Sequence, residues 1–396
     1  MQKINFLAAA PTHPATGYGK MVAGTLAGLC EIGVEVNVLE RQPEFDVAHC
    51  AHPSWQNETD LAPITLVIGS PLGWENQGWG DVYLYTMSES DRVSAEWVAA
   101  INEKCAGVLV TCPELVEIYR RSGVRVPVWD VGMGVVSPDA QSIRLGDEEK
   151  SHEWDSQNAP SASESASFMR LFPEKLAAGF EPVAHRWLSS PKSCDKPLRR
   201  RGDFIYLTYS YGDLRMGAHL VIQAFKMLFG NRANPGVQLW IKARDAEDTW
   251  LAGCVDRRIH VFDGEISEDE WAYLLRKADC FVFPSFGEGF GLPPREATLM
   301  GTPAIATGWL GLSDIHQWGL PVRVRRLTPA YFDDWGANGR GARWAEPDVV
   351  HLASQMRWVM ANPVAAQAIA ARGRDYLLRY FSWGRIAERI CRVIPR

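Results

Sequence analysis

Glu288 and Glu296 are the carboxylates best placed to do chemistry in this chain of 396 residues. Seven residues separate them, and Gly287, Gly289 and Gly291 crowd the stretch around Glu288 and Phe290. Glycines at that density let the backbone approach a ligand without interference from Cβ atoms. Leu292, Pro293 and Pro294 follow, and proline suits the first turn of a helix, where a missing N–H costs little. Residues 295–300 therefore read as a helix that Gly301 ends. The apolar run Phe281, Val282, Phe283 reads as a buried strand stopped by Pro284, and residues 302–307 read as the next strand. The stretch is one βαβ unit with a carboxylate in its loop and another on its helix. The start of that helix faces the glycine loop, and such an end attracts anions.

A second unit of the same kind opens the chain. Residues 4–10 read as a strand, 11–19 as a turn-rich loop holding Gly17, Tyr18 and Gly19, 20–32 as a helix and 34–39 as a strand. Gly17 and Gly19 lack the third glycine of a dinucleotide fingerprint, which argues against a nicotinamide or flavin enzyme. Further strands are expected at 46–50, 64–68, 82–85, 107–111 and 126–131, with helices at 92–102 and 114–122. The rhythm breaks at residues 141–167, a polar insertion, and a basic linker at 189–201 marks a domain boundary. Alternation resumes with strands at 204–208, 237–242 and 259–262 and helices at 217–229 and 267–277. Residues 327–343 read as irregular. Helices at 347–361, 363–380 and 383–393 close the chain. The fold class is α/β, two Rossmann-like doubly wound parallel-sheet domains with a ligand cleft between them. Residues 1–195 are expected to form the first domain, 196–380 the second, and 381–396 a last helix.

The net charge of −6 argues against a surface that is one nucleic-acid footprint. It leaves local basic runs, KPLRRR at 196–201 and RVRR at 323–326, which read as linker and strand-end charges. The eight cysteines form no CxxC pair and read as reduced core thiols of a cytoplasmic protein. No cluster has metal-ligand spacing. No apolar run is long enough for a transmembrane segment, and the N-terminus reads as a strand rather than a secretory signal. His13, His49 and His52 read as structural or surface histidines. Trp55, Trp74 and Trp79 read equally as a sugar-stacking platform and as core.

The segment EGFGLPPREATLMGTPAIA resembles the donor-binding segment of retaining glycosyltransferases of the GT-B fold, specifically family 4. FDGEISEDEWAYLLRKADCFVFPS resembles the strand and helix that lead into it. ATGYG resembles the glycine loop of that family's acceptor domain, and Phe381, Ser382 and Trp383 resemble the start of its last helix, which implies that residues 381–396 cross back to the first domain. The resemblance implies a hexosyltransferase with a nucleotide-diphosphate sugar, UDP- or GDP-linked, as co-substrate and with no required cofactor or metal. It implies Glu288 beside the donor sugar, Glu296 on the ribose hydroxyls, the backbone of Gly289, Phe290, Gly291 and Leu292 on the diphosphate, and Gly264 and Ile266 near the base. Gly17, Tyr18 and Gly19 would form the acceptor or phosphate loop. The family's usual diphosphate-gripping Arg and Lys fall here at Ser210 and Met216, so Arg215, Lys242 and Arg244 are the candidate substitutes. The usual first-domain histidine is replaced by LYTMSE, which offers Thr86 or Glu89.

The departing diphosphate gathers negative charge, and N–H donors and cations stabilise it. The acceptor implied is a hydroxyl of a glycan, a glycolipid or a small glycoside, with peripheral membrane contact compatible with a glycolipid. Other readings are a DNA modification enzyme acting on a hydroxylated base, a non-catalytic nucleotide-sugar-binding module, and a phosphorylase or epimerase. Salt-sensitive DNA binding, turnover by a Glu288 variant and product analysis separate them.

Overall fold

A computed structural model describes residues 3–10, 16–39, 61–137, 202–210, 214–230, 236–244, 256–330 and 337–395. The first sheet contains β1 (Lys3–Ala9), β2 (Glu35–Val38), β3 (Ile64–Gly69), β4 (Asp81–Tyr85), β5 (Gly107–Val110) and β6 (Val128–Asp130). Its order is β2-β1-β3-β4-β5-β6, and every pairing is parallel. The second sheet contains β7 (Phe204–Ser210), β8 (Val237–Ala243), β9 (Ile259–Phe262), β10 (Cys280–Phe283), β11 (Ala304–Thr307) and β12 (Leu320–Val322). Its order is β12-β11-β10-β7-β8-β9, again all parallel. Helices cover both sheets, so their strands are apolar on both faces. All residues of β3, β8 and β10 are buried.

The first sheet carries α1 (Gly17–Glu31), α2 (Ala95–Lys104) and α3 (Pro113–Ser122). The second carries α4 (Ala218–Phe229), α5 (Glu268–Lys277), α6 (Leu292–Leu299), α7 (Ile315–Trp318), α8 (Val349–Ala361) and α9 (Pro363–Tyr380), and α10 (Trp383–Val393) follows. Helix α10 packs on α1 of the first sheet. Its Trp383 enters a slot lined by Gly24 and Gly28 of α1 and by Gly134, and a Cβ at any of the three would overlap this residue. Ile386, Ala387, Ile390 and Ile394 are buried beside it.

The expected α/β alternation is observed, with boundaries moved for local reasons. The helix expected at 92–102 begins at Ala95, because Ser94 caps it by accepting from the Trp97 N–H at 3.2 Å. The helix expected at 295–300 begins at Leu292, which lets both prolines occupy its first turn. Residues 327–343 are not uniformly irregular: an antiparallel pair, β13 (Val324–Pro329) and β14 (Arg343–Pro347), occupies their ends. Three arginines within these two strands (Arg325, Arg326 and Arg343) and the preceding Arg323 hid the pattern. The short elements α7 and β12 were not anticipated either. The strand expected at 46–50, the insertion, the basic linker, His13, His49, His52 and Trp55 lie outside the described residues.

Each sheet reverses its direction of strand addition once. The first does so between β1 and β3, the second between β7 and β10. At such a point the loops leaving the strands diverge and open a crevice. The loops after β7 and β10 carry Arg215 and Glu288.

Candidate functional site

Arg215 draws three candidate groups together. Its Nη1 donates to Glu288 Oε1 at 2.9 Å and to the Gly287 carbonyl at 2.7 Å. The same nitrogen lies 3.2 Å from Glu89 Oε1, a residue of the loop after β4 on the first sheet. Ser285 Oγ donates to Glu288 Oε1 at 2.8 Å. Glu288 is largely buried, whereas the Glu89 side chain is 39% exposed. Glu288 therefore does not cap α6. Gly291 occupies the cap position in the left-handed region, φ +79°, which disfavours a side chain.

Glu296 sits one turn into α6 and is 5% exposed. Each of its oxygens has a donor: Lys20 Nζ on Oε1 at 2.7 Å and Trp271 Nε1 on Oε2 at 2.7 Å. Lys20 belongs to the first turn of α1 and also lies 3.1 Å from Glu268. Burial alone would lower the Lys20 pKa, but the Glu296 and Glu268 carboxylates outweigh it and hold the ammonium well above its ordinary value. Burial raises Glu268.

Lys242 is buried at the end of β8. Its Nζ donates to the carbonyls of Ala243 at 2.7 Å and Gly264 at 2.6 Å, and it lies 5.8 Å from the centre of the Tyr209 ring. It thus ties β8 to the turn holding Gly264 and, two residues on, Ile266. Tyr209 also packs against Trp271. Arg244 pairs with Glu265 at 2.8 Å. Met216 is buried in the core.

The first sheet presses its own loops against the glycine segment. Thr111 Oγ1 donates to the Gly289 carbonyl. A Cβ at Gly287 would overlap the Glu89 carbonyl, and one at Gly289 would come within 2.6 Å of Met87 Sδ. The Tyr18 hydroxyl meets Thr86 Oγ1 at 3.1 Å and donates to the Met87 carbonyl at 3.3 Å. Burial pushes the Tyr18 phenol up to about 12, so it is neutral at ordinary pH. Gly17 starts α1, and the Gly19 N–H donates to Thr16 Oγ1 at 2.9 Å, capping that helix. Phe290 is buried in the core, and Leu292 is half-buried.

Arg295 holds this segment from behind. It is 1% exposed, donates to the carbonyls of Phe290 and Gly311 and pairs with Asp314 at 2.6 Å. Its guanidinium stacks 3.9 Å from the centre of the Phe290 ring and 4.7 Å from that of Trp318. Burial lowers its pKa, and Asp314 opposes the shift.

Two clusters result, Arg215–Glu288–Glu89–Ser285 and Lys20–Glu296–Trp271–Glu268. The sequence reading missed Lys20, Ser285, Trp271, Thr111 and Arg295. Lys20 had one available signal, its place directly after Gly19 in the glycine loop. Trp74 and Trp79 are core residues, 8% and 7% exposed, with ring centres 6.3 Å apart. Arg323 pairs with Asp348, and Arg325 and Arg326 pair with Glu346. Among the described residues, no group of His, Cys, Asp and Glu is arranged to hold a metal, and no helix is long and apolar enough to cross a membrane.

Residues 208–329, which contain both glutamates, match the family model for Glycosyl transferases group 1. That segment is similar to a group 1 glycosyltransferase domain. The matched segment runs from within β7 to the end of β13, so it contains the second sheet's reversal point. Glycogen synthase of Mycobacterium tuberculosis (strain H37Rv) is 29% identical over 215 residues, 53% of this chain and 45% of that protein. The chain thus spans about half the length of the curated relative it matches. Two solved structures share the two-domain GT-B arrangement over nearly all of both chains. Sucrose-phosphate synthase from Thermosynechococcus elongatus has a TM-score of 0.60 at 18% identity, covering 99% of this chain and 98% of its own. WaaG, a glycosyltransferase involved in lipopolysaccharide biosynthesis, has a TM-score of 0.55 at 13% identity, covering 99% of each chain.

Proposed function

We propose that this chain is a retaining glycosyltransferase moving a sugar from a nucleotide-diphosphate donor, UDP- or GDP-linked, to an acceptor hydroxyl. One observation carries the reading: Glu288 and Glu296 are both withdrawn from solvent, both hydrogen-bonded, and set on either side of a helix start at a strand-order reversal. A carboxylate kept in fixed geometry accepts hydroxyl hydrogen bonds, which is what a sugar and a ribose offer. In this reading Glu288 takes the donor sugar and Glu296 the ribose diol. The start of α6 and Arg215 stabilise the diphosphate. Lys242 acts from beneath, holding the turn of Gly264 and Ile266 against the base. Glu89 and the Gly17–Tyr18–Gly19 loop face the acceptor side.

The acceptor oxygen bonds to the anomeric carbon as the bond from that carbon to the phosphate oxygen breaks. The electron pair leaves with the diphosphate, and the acceptor proton passes to the departing phosphate oxygen. Attack and departure on one face give retention. The acceptor class in this reading is a glycan, a glycolipid or a small glycoside. The arginines at 323–326 are already engaged by Asp348 and Glu346, so they lend little weight to a DNA base as acceptor.

A panel of nucleotide sugars, read by released nucleoside diphosphate, tests the proposal. Turnover of at least one donor is expected, with Glu288→Gln lowering kcat by about 10²–10³-fold. A folded protein that binds and turns over none of them overturns it. Donor binding without turnover would favour a non-catalytic module, and turnover insensitive to Glu288→Gln would place the chemistry at another centre.

A further inference from the structure

A second charged recess lies away from both glutamate clusters, where α10 meets the end of α9. It encloses about 210 Å³ and is lined by Arg379, Tyr380, Arg385, Glu388, Arg389 and Arg392. Four guanidiniums thus face one carboxylate. Glu388 Oε2 is shared, 3.0 Å from Arg385 and 3.8 Å from Arg392. Arg389 is fixed differently: it donates to the carbonyls of Val131 at 3.3 Å and Tyr380 at 2.8 Å, and it rests 5.6 Å from the centre of the Phe381 ring. It therefore forms a rigid wall anchored to the loop after β6, while Arg385 and Arg392 are 59% and 73% exposed and can turn inward.

This concentration runs against the rest of the chain. Residues 372–395 hold six arginines and two acids, in a protein whose net charge is −6. Arg385, Arg389 and Arg392 share one helix face at spacings of four and three, where like charges repel. A solvated face usually intersperses the two signs. All four cations are arginines, whose planar fork matches phosphate oxygens in a way that lysine does not. The volume is below that of drug-sized pockets, which suits a small headgroup rather than a nucleotide. None of the six lining residues belongs to the two glutamate clusters.

We propose that this recess binds a phosphate-bearing anion, either the headgroup of an anionic lipid or a small soluble phosphate. The test compares the full chain with the double variant Arg385→Glu/Arg392→Glu, whose side chains are exposed. Calorimetry with inorganic pyrophosphate, in the presence of saturating nucleotide sugar, reads the soluble source. Co-sedimentation with vesicles of phosphatidylcholine, alone or mixed with phosphatidic acid, reads the lipid source. Wild type should bind at least one probe, and the double variant should bind it at least about tenfold more weakly at low salt, with an unchanged melting temperature. Loss on vesicles alone assigns a lipid headgroup, and loss with pyrophosphate alone assigns a soluble ligand. Equal binding of both proteins to both probes, or no binding by wild type, overturns the proposal and leaves a solvated arginine face.

Discussion

Arg215 is the residue on which the Glu288 cluster turns, because two carboxylates share its one charge. Lysine at this position would keep the charge and lose the planar fork. Arg215→Lys should lower kcat/KM for the donor about tenfold or more, and Arg215→Met should lower it further, in steady-state assays with the active donor. Arg295 predicts a stability effect instead. Removing its guanidinium leaves the buried Phe290 and Gly311 carbonyls without their donor and the partly exposed Asp314 without its partner, so Arg295→Met should cost about 3 kcal/mol in denaturant unfolding. His219, stacked on Phe286, carries a pH signature. Burial lowers its pKa to about 4, from an ordinary 6.5. Between these values the unfolded chain holds the extra proton, so stability rises with pH across that window and is lost as pH falls from 6.5 towards 4. The loss should reach about 2–3 kcal/mol, and His219→Phe should flatten it in melts across that range. Glu288 and Glu296 were legible because glycines and prolines frame them. Arg295 was not, since an arginine on a short helix reads as solvated until the rings around it are known.

At the scale of elements, the close approach of the glycine segment to the first sheet's loops makes two alanine substitutions differ. At Gly289 the obstacle is the Met87 side chain from Sδ back to Cβ, and at Gly287 it is the Glu89 carbonyl. Gly289→Ala should be tolerated better, and Met87→Ala should partly restore it. Gly287→Ala must move backbone, and should lower thermal stability more, with no rescue by Met87→Ala. Melting temperatures of the two single variants and the two Met87 combinations check this. Most strands were legible because parallel strands covered on both faces are written as plain apolar runs. The start of α6 was legible only to within three residues: the prolines were read as suited to a first helical turn, but the helix was begun at 295 because nothing marks Leu292 as its first residue until the left-handed Gly291 is known. Strands β13 and β14 were missed because their exposed arginines mask the alternation on which strand reading depends.

Across the whole molecule, the two sheets are joined by side chains as well as by α10. Lys20 reaches from α1 to Glu296 and Glu268 of the other sheet. Lys20→Met should remove about 1.5–3 kcal/mol of stability, since it takes a charged hydrogen bond from a buried carboxylate. Chemical denaturation followed by tryptophan fluorescence would measure it. The two-domain architecture was legible from the repeated alternation of strands and helices, whereas this bridge was not. Nothing in a linear sequence says that residue 20 will meet residue 296.

The seat of Trp383 also bears on the order in which the protein can be completed at the ribosome. The slot of Gly24, Gly28 and Gly134 is made early, and the residue that fills it follows about 250 residues later. Until then the outer side of α1 is an apolar groove turned to solvent. A nascent chain stalled before residue 383 should therefore show protease-sensitive α1, and one long enough to expose α10 outside the exit tunnel should not. Trp383→Ala, by leaving that groove partly empty, should make the finished protein resemble the stalled one, with about 3–5 kcal/mol less stability.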